Sequence, residues 1–314
     1  MAFNNEFISV VKLRSQIISL IREEFHNEGF DEVETPMLHP IAGGAAARPF
    51  KTHLNALDIP LYLRVAPELY LKRLIIGGMP KVFEINRNFR NEGIDATHNP
   101  EFTALEAYAI NDNVLSLMAF VENAIKNVAF KLNSTKRIFN GHEINFDQTF
   151  QVISYSDLYK RGTGKDLSDE KNILAANEIF EERCESLINP CVPTFIFGYP
   201  AAISPLTKRM VQDPNLSYRA DLFIGGMEIG TIYSEQNDPE EQFRVFSEQV
   251  ADDEEGTHRT MDFDFIEALK VGMPPTGGLG IGIDRLVMLL TEKTSVRDVI
   301  AFPFMKPRKE EHVV

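Results

Sequence analysis

Apolar residues recur every three or four positions near the start of the chain, at Val10, Leu13, Ile17, Ile21 and Phe25. This spacing places them on one face of a helix, which we predict from about Asn5 to His26. Gly29 follows where a helix can end in a left-handed residue. The next segment, Phe30 to Pro36, predicts a short strand that stops at the proline, which has no N–H to donate to a sheet.

The pattern changes to a period of two in Lys81–Arg90 and Glu101–Tyr108, which we predict to be paired strands. The second strand presents Glu106 and Tyr108, and the polar face of the first carries Glu84, Asn86, Asn88 and Arg90. Burying a polar group without a partner costs about 1–3 kcal/mol, so these faces indicate a polar pocket that holds a ligand or water. The alternative is a strand with one solvated face.

The rest of the chain alternates helices and strands without a repeat or a linker, which predicts one mixed α/β domain over residues 1–314. Gly225 and Gly226 predict a two-residue hairpin turn. The other predicted helices are Val114–Leu132, the mostly helical Ser154–Leu187, Asp238–Met261 with an acidic loop at 252–255, and Asp284–Leu290. The other predicted strands are Thr194–Phe197, Asp221–Ile224, Met227–Ile229 and Gly277–Ile283.

The 314 residues include 46 acidic and 32 basic side chains, which gives a formal charge of −14. An acidic surface repels phosphate backbones, so a protein that coats nucleic acid through a broad basic face is disfavoured. No segment approaches the roughly 20 apolar residues of a membrane span, and the N-terminus lacks the pattern of a signal peptide. We therefore expect a soluble, cytoplasmic protein.

A glycine-rich strand, Gly277 to Ile283, leads directly into Asp284 and Arg285. Glycines at alternate positions leave one face without side chains, so a flat group can lie against the backbone. The guanidinium of Arg285 can then stack on a base or hold a phosphate. The spacing is not that of the dinucleotide-binding fingerprint, and tight packing is the alternative interpretation.

Asp221 and Glu228 flank the predicted hairpin turn. In a hairpin with a two-residue turn, position 223 faces position 228 and Asp221 lies on the same side, so both carboxylates can reach one divalent cation. Oxygen ligands of this kind suit Mg²⁺ that also binds substrate phosphates. Two solvated acids at a sheet edge are the alternative.

Three segments resemble, in order, the signature motifs of the class II aminoacyl-tRNA synthetases, and most closely those of the lysyl-tRNA synthetase catalytic domain. Phe30–Pro36 is similar to motif 1, Phe89–Gly93 with His98–Phe102 to motif 2, and Gly280–Arg285 to motif 3. Further segments similar to the lysine branch stand at 43–45, 66–73 and 234–238. The resemblance covers almost the whole chain.

The resemblance implies an α+β fold with an antiparallel sheet flanked by helices, and a homodimer formed through motif 1 (residues about 5–36). It implies ATP as a substrate and two catalytic residues, Arg90 at the α-phosphate and the substrate carboxylate, and Arg285 at the adenine and the γ-phosphate. The other implied ATP-binding residues are Glu92, His98 and Phe102. Asp221 and Glu228 would carry Mg²⁺.

The resemblance also implies lysine as the amino acid. Glu68, Tyr108 and Glu235 match the positions that hold the ε-ammonium group, and a buried ammonium needs such partners. Gly44 would receive the α-amino group. The implied lysine-binding set is completed by Arg90, Thr231 and Tyr233.

The chain departs from the lysine pattern at two neighbouring positions. The family usually has Asn where this chain has Thr231 and a small residue where it has Ile232, so recognition of the substrate's α-groups can be weaker or altered. In a regular strand, the odd-numbered residues from Thr231 to Glu235 would face away from Glu228. We therefore predict a β-bulge near Gly230 that turns both sets to one pocket.

A second departure concerns the acceptor of the activated amino acid. Lysyl-tRNA synthetases carry an N-terminal OB-fold that reads the anticodon, whereas here the catalytic domain begins almost at Met1, so tRNA(Lys) and a protein acceptor both stay open. Ligases that modify elongation factor P also lack that domain, but they tend to have Ala at the position of Gly280. A non-catalytic regulatory paralogue is the third alternative, and the intact Arg90 and Arg285 argue against it.

Overall fold

The computed structural model describes residues 4–41, 47–251 and 261–305. Its helices are α1 (Asn5–Asn27), α2 (Glu68–Ile76), α3 (Val114–Lys131), α4 (Tyr155–Thr163), α5 (Ile173–Ile179), α6 (Pro239–Ala251), α7 (Phe263–Gly272) and α8 (Ile283–Leu290). Its strands are β1 (Asp31–Glu32), β2 (Leu38–His39), β3 (Lys51–Leu54), β4 (Ile59–Leu63), β5 (Lys81–Phe89), β6 (Glu101–Ile110), β7 (Lys136–Phe139), β8 (His142–Asn145), β9 (Gln151–Ser154), β10 (Thr194–Phe197), β11 (Arg219–Ile224), β12 (Met227–Ser234) and β13 (Thr276–Gly282).

Eight strands form the main sheet in the order β1-β5-β6-β13-β12-β11-β10-β9. All inner neighbours are antiparallel, and only the two edge pairs, β1 with β5 and β9 with β10, are parallel. Helices pack against this sheet, so the expected α+β architecture is confirmed, with parallel pairing added at its edges.

The first helix begins and ends close to the positions predicted for it. The Asn4 side chain accepts a hydrogen bond from the Glu6 N–H at 2.9 Å, and Gly29 has a φ of +85°, as a glycine after a helix end often does. Val10, Ile17, Ile21 and Phe25 are buried, in one core with α3, α8 and the sheet. The apolar stripe read from the sequence is therefore a core face of this chain.

The motif 1 strand is shorter than predicted. Only Asp31 and Glu32 pair with β5, although the Val33 N–H still donates to the Phe83 carbonyl at 2.9 Å. Beyond this point the Thr35 side chain donates to the Glu84 carboxylate at 2.7 Å instead of extending the ladder. Side-chain bonding therefore replaces strand pairing before Pro36.

Two further helical regions lie where they were predicted. The segment 154–187 is mostly helical but is interrupted after α4, where Gly164 takes a left-handed φ of +77°. Helix α5 continues as a π-helical turn, Phe180–Cys184, and a 3-10 turn, Glu185–Leu187. The helix predicted over 238–261 is observed as α6, and the acidic loop at 252–255 lies outside the described residues. Among the described residues, no helix has both the length and the apolar character that crossing a membrane requires.

The hairpin of β11 and β12 has the predicted two-residue turn and the predicted bulge. Gly225 and Gly226 have φ values of +65° and +78°. Phe223 pairs with Glu228, but the preceding Leu222 pairs with Gly230, so Ile229 is an extra residue on β12. The bulge near Gly230 is therefore confirmed.

Candidate active site

A cleft of about 400 Å³ opens over β5, β6, β12 and β13. Many of the predicted site residues line it, from both the motif 2 and the motif 3 segments: Arg90, Glu92, His98, Phe102, Glu228, Thr231 and Arg285. The chain therefore brings the predicted cationic and aromatic groups to one place. Gly44 lies outside the described residues.

Two glycines of β13 form the floor of this region. Gly280 pairs with Glu106 on one side and Thr231 on the other, and Gly278 pairs with Tyr108 and Tyr233. A Cβ at Gly280 would lie 3.7 Å from Thr231 Oγ1, which is an ordinary contact, whereas a Cβ at Gly278 would overlap with the Glu235 carboxylate. Gly280 thus has room for a Cβ, whereas Gly278 serves close packing, as the alternative interpretation of the glycine strand predicts.

The Arg90 guanidinium lies over the Phe102 ring beside the cleft. The backbone N–H of Arg90 donates to the Pro100 carbonyl at 2.8 Å, and its guanidinium carbon lies 5.1 Å from the centre of the Phe102 ring. Its Nε is buried and has no hydrogen-bond partner among the described residues. The guanidinium is therefore oriented by stacking and retains donors for an anion in the cleft.

Arg285 is oriented by two groups from other segments. Its Nη1 donates to the Glu228 carbonyl at 2.8 Å, and its Nη2 lies 3.1 Å from His98 Nε2. His98 Nδ1 lies 2.8 Å from Asp95 Oδ2, so we assign the proton to Nδ1 and the lone pair to Nε2. Loss of solvent would raise the pKa of Asp95, but hydrogen bonds from Thr97 and His98 outweigh it and lower that pKa to about 2.

Asp284 fixes the start of α8 next to Arg285. It forms an ion pair with Arg14 of α1 at 2.6 Å and accepts a hydrogen bond from the Thr103 N–H at 2.8 Å. Helix α1, β6 and α8 are joined at this residue. Glu92 lies at the exposed mouth of the cleft, where it accepts a hydrogen bond from the Arg48 N–H at 3.2 Å.

A buried ion cluster lies beyond the floor glycines, around a lysine that the sequence prediction missed. Lys72 Nζ lies 2.6 Å from Glu68 Oε1 and 2.5 Å from Glu235 Oε2, and the Lys72 side chain is 0% exposed. Burial alone would lower the pKa of Lys72, but the carboxylates of Glu235 and Glu68 raise it above its usual range. Two carboxylates predicted to bind a lysine substrate therefore already share an internal ammonium group.

Glu106 connects the cleft to this ion cluster. It lines the cleft, and its Oε2 accepts a hydrogen bond from the Tyr108 hydroxyl at 3.4 Å. Burial, and then the nearby Glu68 carboxylate, raise the pKa of Glu106 to about 8. The period-two pattern placed Glu106 on the same face as Phe102 and Tyr108, so the sequence held the signal for a further site residue.

Asp221 and Glu228 face the same side of the hairpin, as predicted. Asp221 is buried and accepts two hydrogen bonds from Arg219, at 2.9 and 2.6 Å, while the Arg219 guanidinium lies 4.2 Å from the Tyr199 ring centre. Removal from solvent, and then the Asp221 charge, raise the pKa of Glu228. The two carboxylates thus act on each other electrostatically.

The donor set of this pair is compatible with Mg²⁺ only if further ligands are added. Mg²⁺ is bound in many proteins through one or two carboxylates together with water and substrate phosphates. Among the residues that the structure describes, no group of three or more His, Cys, Asp or Glu side chains is arranged to hold a metal ion. Substrate oxygens and water would have to complete the coordination.

Comparison with known proteins gives consistent matches. The family described as tRNA synthetases class II (D, K and N) matches residues 1–306. The chain is 48% identical to the lysine–tRNA ligase of Carboxydothermus hydrogenoformans over 97% of this chain and 67% of that one. The corresponding values are 46%, 94% and 64% for Staphylococcus saprophyticus, and 48%, 99% and 66% for Campylobacter jejuni. The chain thus spans about two thirds of the length of these relatives.

Proposed function

Since this chain belongs to the class II tRNA synthetases (D, K and N), we propose that it activates lysine with ATP to give lysyl-adenylate and transfers the lysyl group to an acceptor. The observation that carries the proposal is that Glu106 lines the cleft that contains Arg90 and Arg285 and also lies close to Glu68 of the ion cluster formed by Glu68, Lys72 and Glu235. One end suits phosphates and a carboxylate, and the other suits an ammonium group.

The reaction proposed for the cleft is an in-line displacement at phosphorus. An oxygen of the lysine carboxylate forms a bond to the α-phosphorus of ATP, the bond from that phosphorus to the bridging oxygen breaks, and pyrophosphate leaves. Arg90 would hold both reacting anions, and Arg285 would hold the departing phosphates with His98. Positioning and charge neutralisation are sufficient for this reaction, so no covalent nucleophile is required.

The adenine ring would lie between Phe102 and Arg285, with Glu92 at its edge. Asp221 and Glu228 would hold Mg²⁺ against the phosphates. The ion would neutralise phosphate charge. Arg219, which donates two hydrogen bonds to Asp221, would hold that carboxylate in place.

The lysine ε-ammonium would bind among Glu68, Tyr108 and Glu235, because a buried ammonium group requires ionised or polar partners. A neutral side chain of the same size would leave these groups without a partner, so we expect strong discrimination against it. The remaining contacts proposed for the amino acid are those of Gly44, Arg90, Thr231 and Tyr233.

We propose tRNA as the acceptor, because the relatives are lysine–tRNA ligases. Transfer of the lysyl group to a protein instead of tRNA would contradict this assignment.

A homodimer through residues 5–36 is proposed from family membership, with a groove along α1 as its physical support. A cytoplasmic location stays a prediction.

The test is ATP–pyrophosphate exchange in the presence of lysine. Exchange that depends on lysine, and not on leucine or norleucine, is expected. No exchange with lysine or its close analogues would overturn the proposal. Labelled lysine offered together with tRNA and with total bacterial protein then identifies the acceptor, and label in protein alone would contradict the tRNA assignment.

A further inference from the structure

Lys72 is a charged residue for which the proposed reaction has no direct use. It lies on α2 one turn after Glu68, and it is completely buried. Its ammonium group contacts Glu68 on its own helix and Glu235 at the end of β12. It therefore joins the two elements that carry the proposed lysine-binding carboxylates.

The charges around Lys72 leave room for one further cation. The groups that face it or its partners are Glu68 on α2, Glu106 and Tyr108 on β6, and Tyr233 on β12. The charges of Arg90 and Arg64 favour the ionised form of Glu106. Two carboxylates thus contact the internal ammonium group, and a third carboxyl group, that of Glu106, lies close to Glu68.

The protonation state of Glu106 affects the net charge of the groups around Lys72. Its raised pKa of about 8 keeps it largely protonated at neutral pH. Burial raises the pKa of Glu235 to about 7, and the charge and hydrogen bond of Lys72 act against that rise. With Glu106 neutral and Glu235 ionised, the carboxylates of Glu68 and Glu235 together with Lys72 leave one negative charge. A single substrate ammonium group neutralises the cluster, so the charge balance is that of a diamino acid whose second amine is protonated.

We propose that Lys72 is a positioning residue, a built-in cation that holds the carboxylates of Glu68 and Glu235 in place and favours the ionised form of Glu235 before the substrate amine arrives. A buried carboxylate without a cation becomes protonated or moves, and either change removes the charge that a lysine substrate needs. Preorganised anions avoid that cost on binding. The inference rests on the proposed lysine binding at Glu68 and Glu235.

The first test replaces Lys72 by methionine, which keeps the length of the side chain and removes its charge. Because one charge of a buried pair is lost, the lysine KM in ATP–pyrophosphate exchange should rise by about 30-fold or more at neutral pH. kcat should change much less. The KM of K72M should then fall as the pH rises, because the carboxyl groups without a cation ionise only at higher pH.

Two further variants separate this role from a purely structural one. K72R keeps a positive charge and should keep the pH profile of the unaltered protein. K126M is the matched control, since Lys126 forms the same i, i+4 contact with Glu122 at 2.6 Å on α3, away from the cleft, and it should leave the lysine KM unchanged. An unchanged KM in K72M, a raised KM that does not vary with pH, or a K72R profile like that of K72M would overturn the proposal.

A second measurement does not depend on activity. A carboxyl whose pKa is raised on folding binds more protons in the native state than in the unfolded state, so stability falls as the pH rises. K72M should therefore lose Tm relative to the unaltered protein progressively from about pH 6 to about pH 9. If K72M is equally destabilised at both ends of that range, or unfolded even at the acidic end, the proposal is wrong.

The two measurements also separate this inference from the proposed function. Absence of lysine-dependent exchange in the unaltered protein would overturn the function, and the pH dependence of Tm would still test whether Lys72 favours the ionised form of Glu235.

Discussion

Arg90 combines a fixed position with free donors, since it stacks on Phe102 and its buried Nε has no partner among the described residues. We expect Arg90→Ala to reduce lysine-dependent exchange by about 100-fold or more, because a preorganised donor to the reacting anions is lost. The exposed Arg183 provides the control, and Arg183→Ala should behave like the unaltered protein. Retained exchange in Arg90→Ala would show that the site is misplaced.

Two glycines of one strand give a matched pair of substitutions. Gly280→Ala should fold with nearly unchanged stability, because its Cβ meets Thr231 at 3.7 Å, yet it should raise the KM for lysine by narrowing the floor of the cleft. Gly278→Ala places a methyl group onto the Glu235 carboxylate and should cost about 1–3 kcal/mol or more. Urea unfolding and exchange kinetics of both variants test this. Equal stability of the two would contradict the packing assigned to Gly278.

At the scale of elements, the motif 1 segment is joined to β5 through a buried ion pair between Arg64, which follows β4, and Glu84 of β5. Arg64 Nη1 lies 2.7 Å from Glu84 Oε1, and both side chains are at most 1% exposed. The Thr35 hydroxyl donates to the other Glu84 oxygen at 2.7 Å. The pair thus holds Thr35, next to Pro36, against the strand that leads to Arg90.

We expect Glu84→Gln to lower the free energy of unfolding by about 3–5 kcal/mol, because the buried Arg64 loses its counter-charge. Asp166→Asn is the control, since Asp166 and Lys160 form an exposed pair at 2.7 Å, and it should cost about 0–1 kcal/mol. Urea denaturation followed by circular dichroism measures both. A cost for Glu84→Gln as small as that of the control would show that the buried pair contributes little.

Local patterns predicted the elements whose hydrophobic period is complete within one segment, such as α1, β5 and β6. The β7–β8 hairpin was missed although Asn140 and Gly141, with φ values of +50° and +81°, are a typical turn pair. Lys72 could not be predicted, because a Lys four residues after Glu68 normally indicates an exposed helical pair. Its burial depends on Glu235, which is distant in sequence.

For the whole molecule, the formal charge of −14 affects the two proposed half-reactions differently. Adenylate formation uses small ligands in a cleft, whereas tRNA must approach an acidic surface through local contacts with its phosphates. Between about 50 mM and about 200 mM salt we expect tRNA charging to fall by tenfold or more, and exchange to change by about twofold at most. Radiolabelled lysine measures charging, and radiolabelled pyrophosphate measures exchange. Charging that is insensitive to salt would show that phosphate contacts contribute little to tRNA binding.

The bulge at Ile229 shifts the alternation of inward and outward side chains along strand β12 by one residue. Ile229 and Ile232 are both 1% exposed in the core, and Glu228 and Thr231 both line the cleft, so each pair is three residues apart where a regular strand allows two or four. A Cβ at Gly230 would overlap with the Gly280 carbonyl, which keeps that residue a glycine. Inserting or deleting one residue beyond the turn would exchange the inward and outward sets. In evolution this segment can therefore change its residues but not its length.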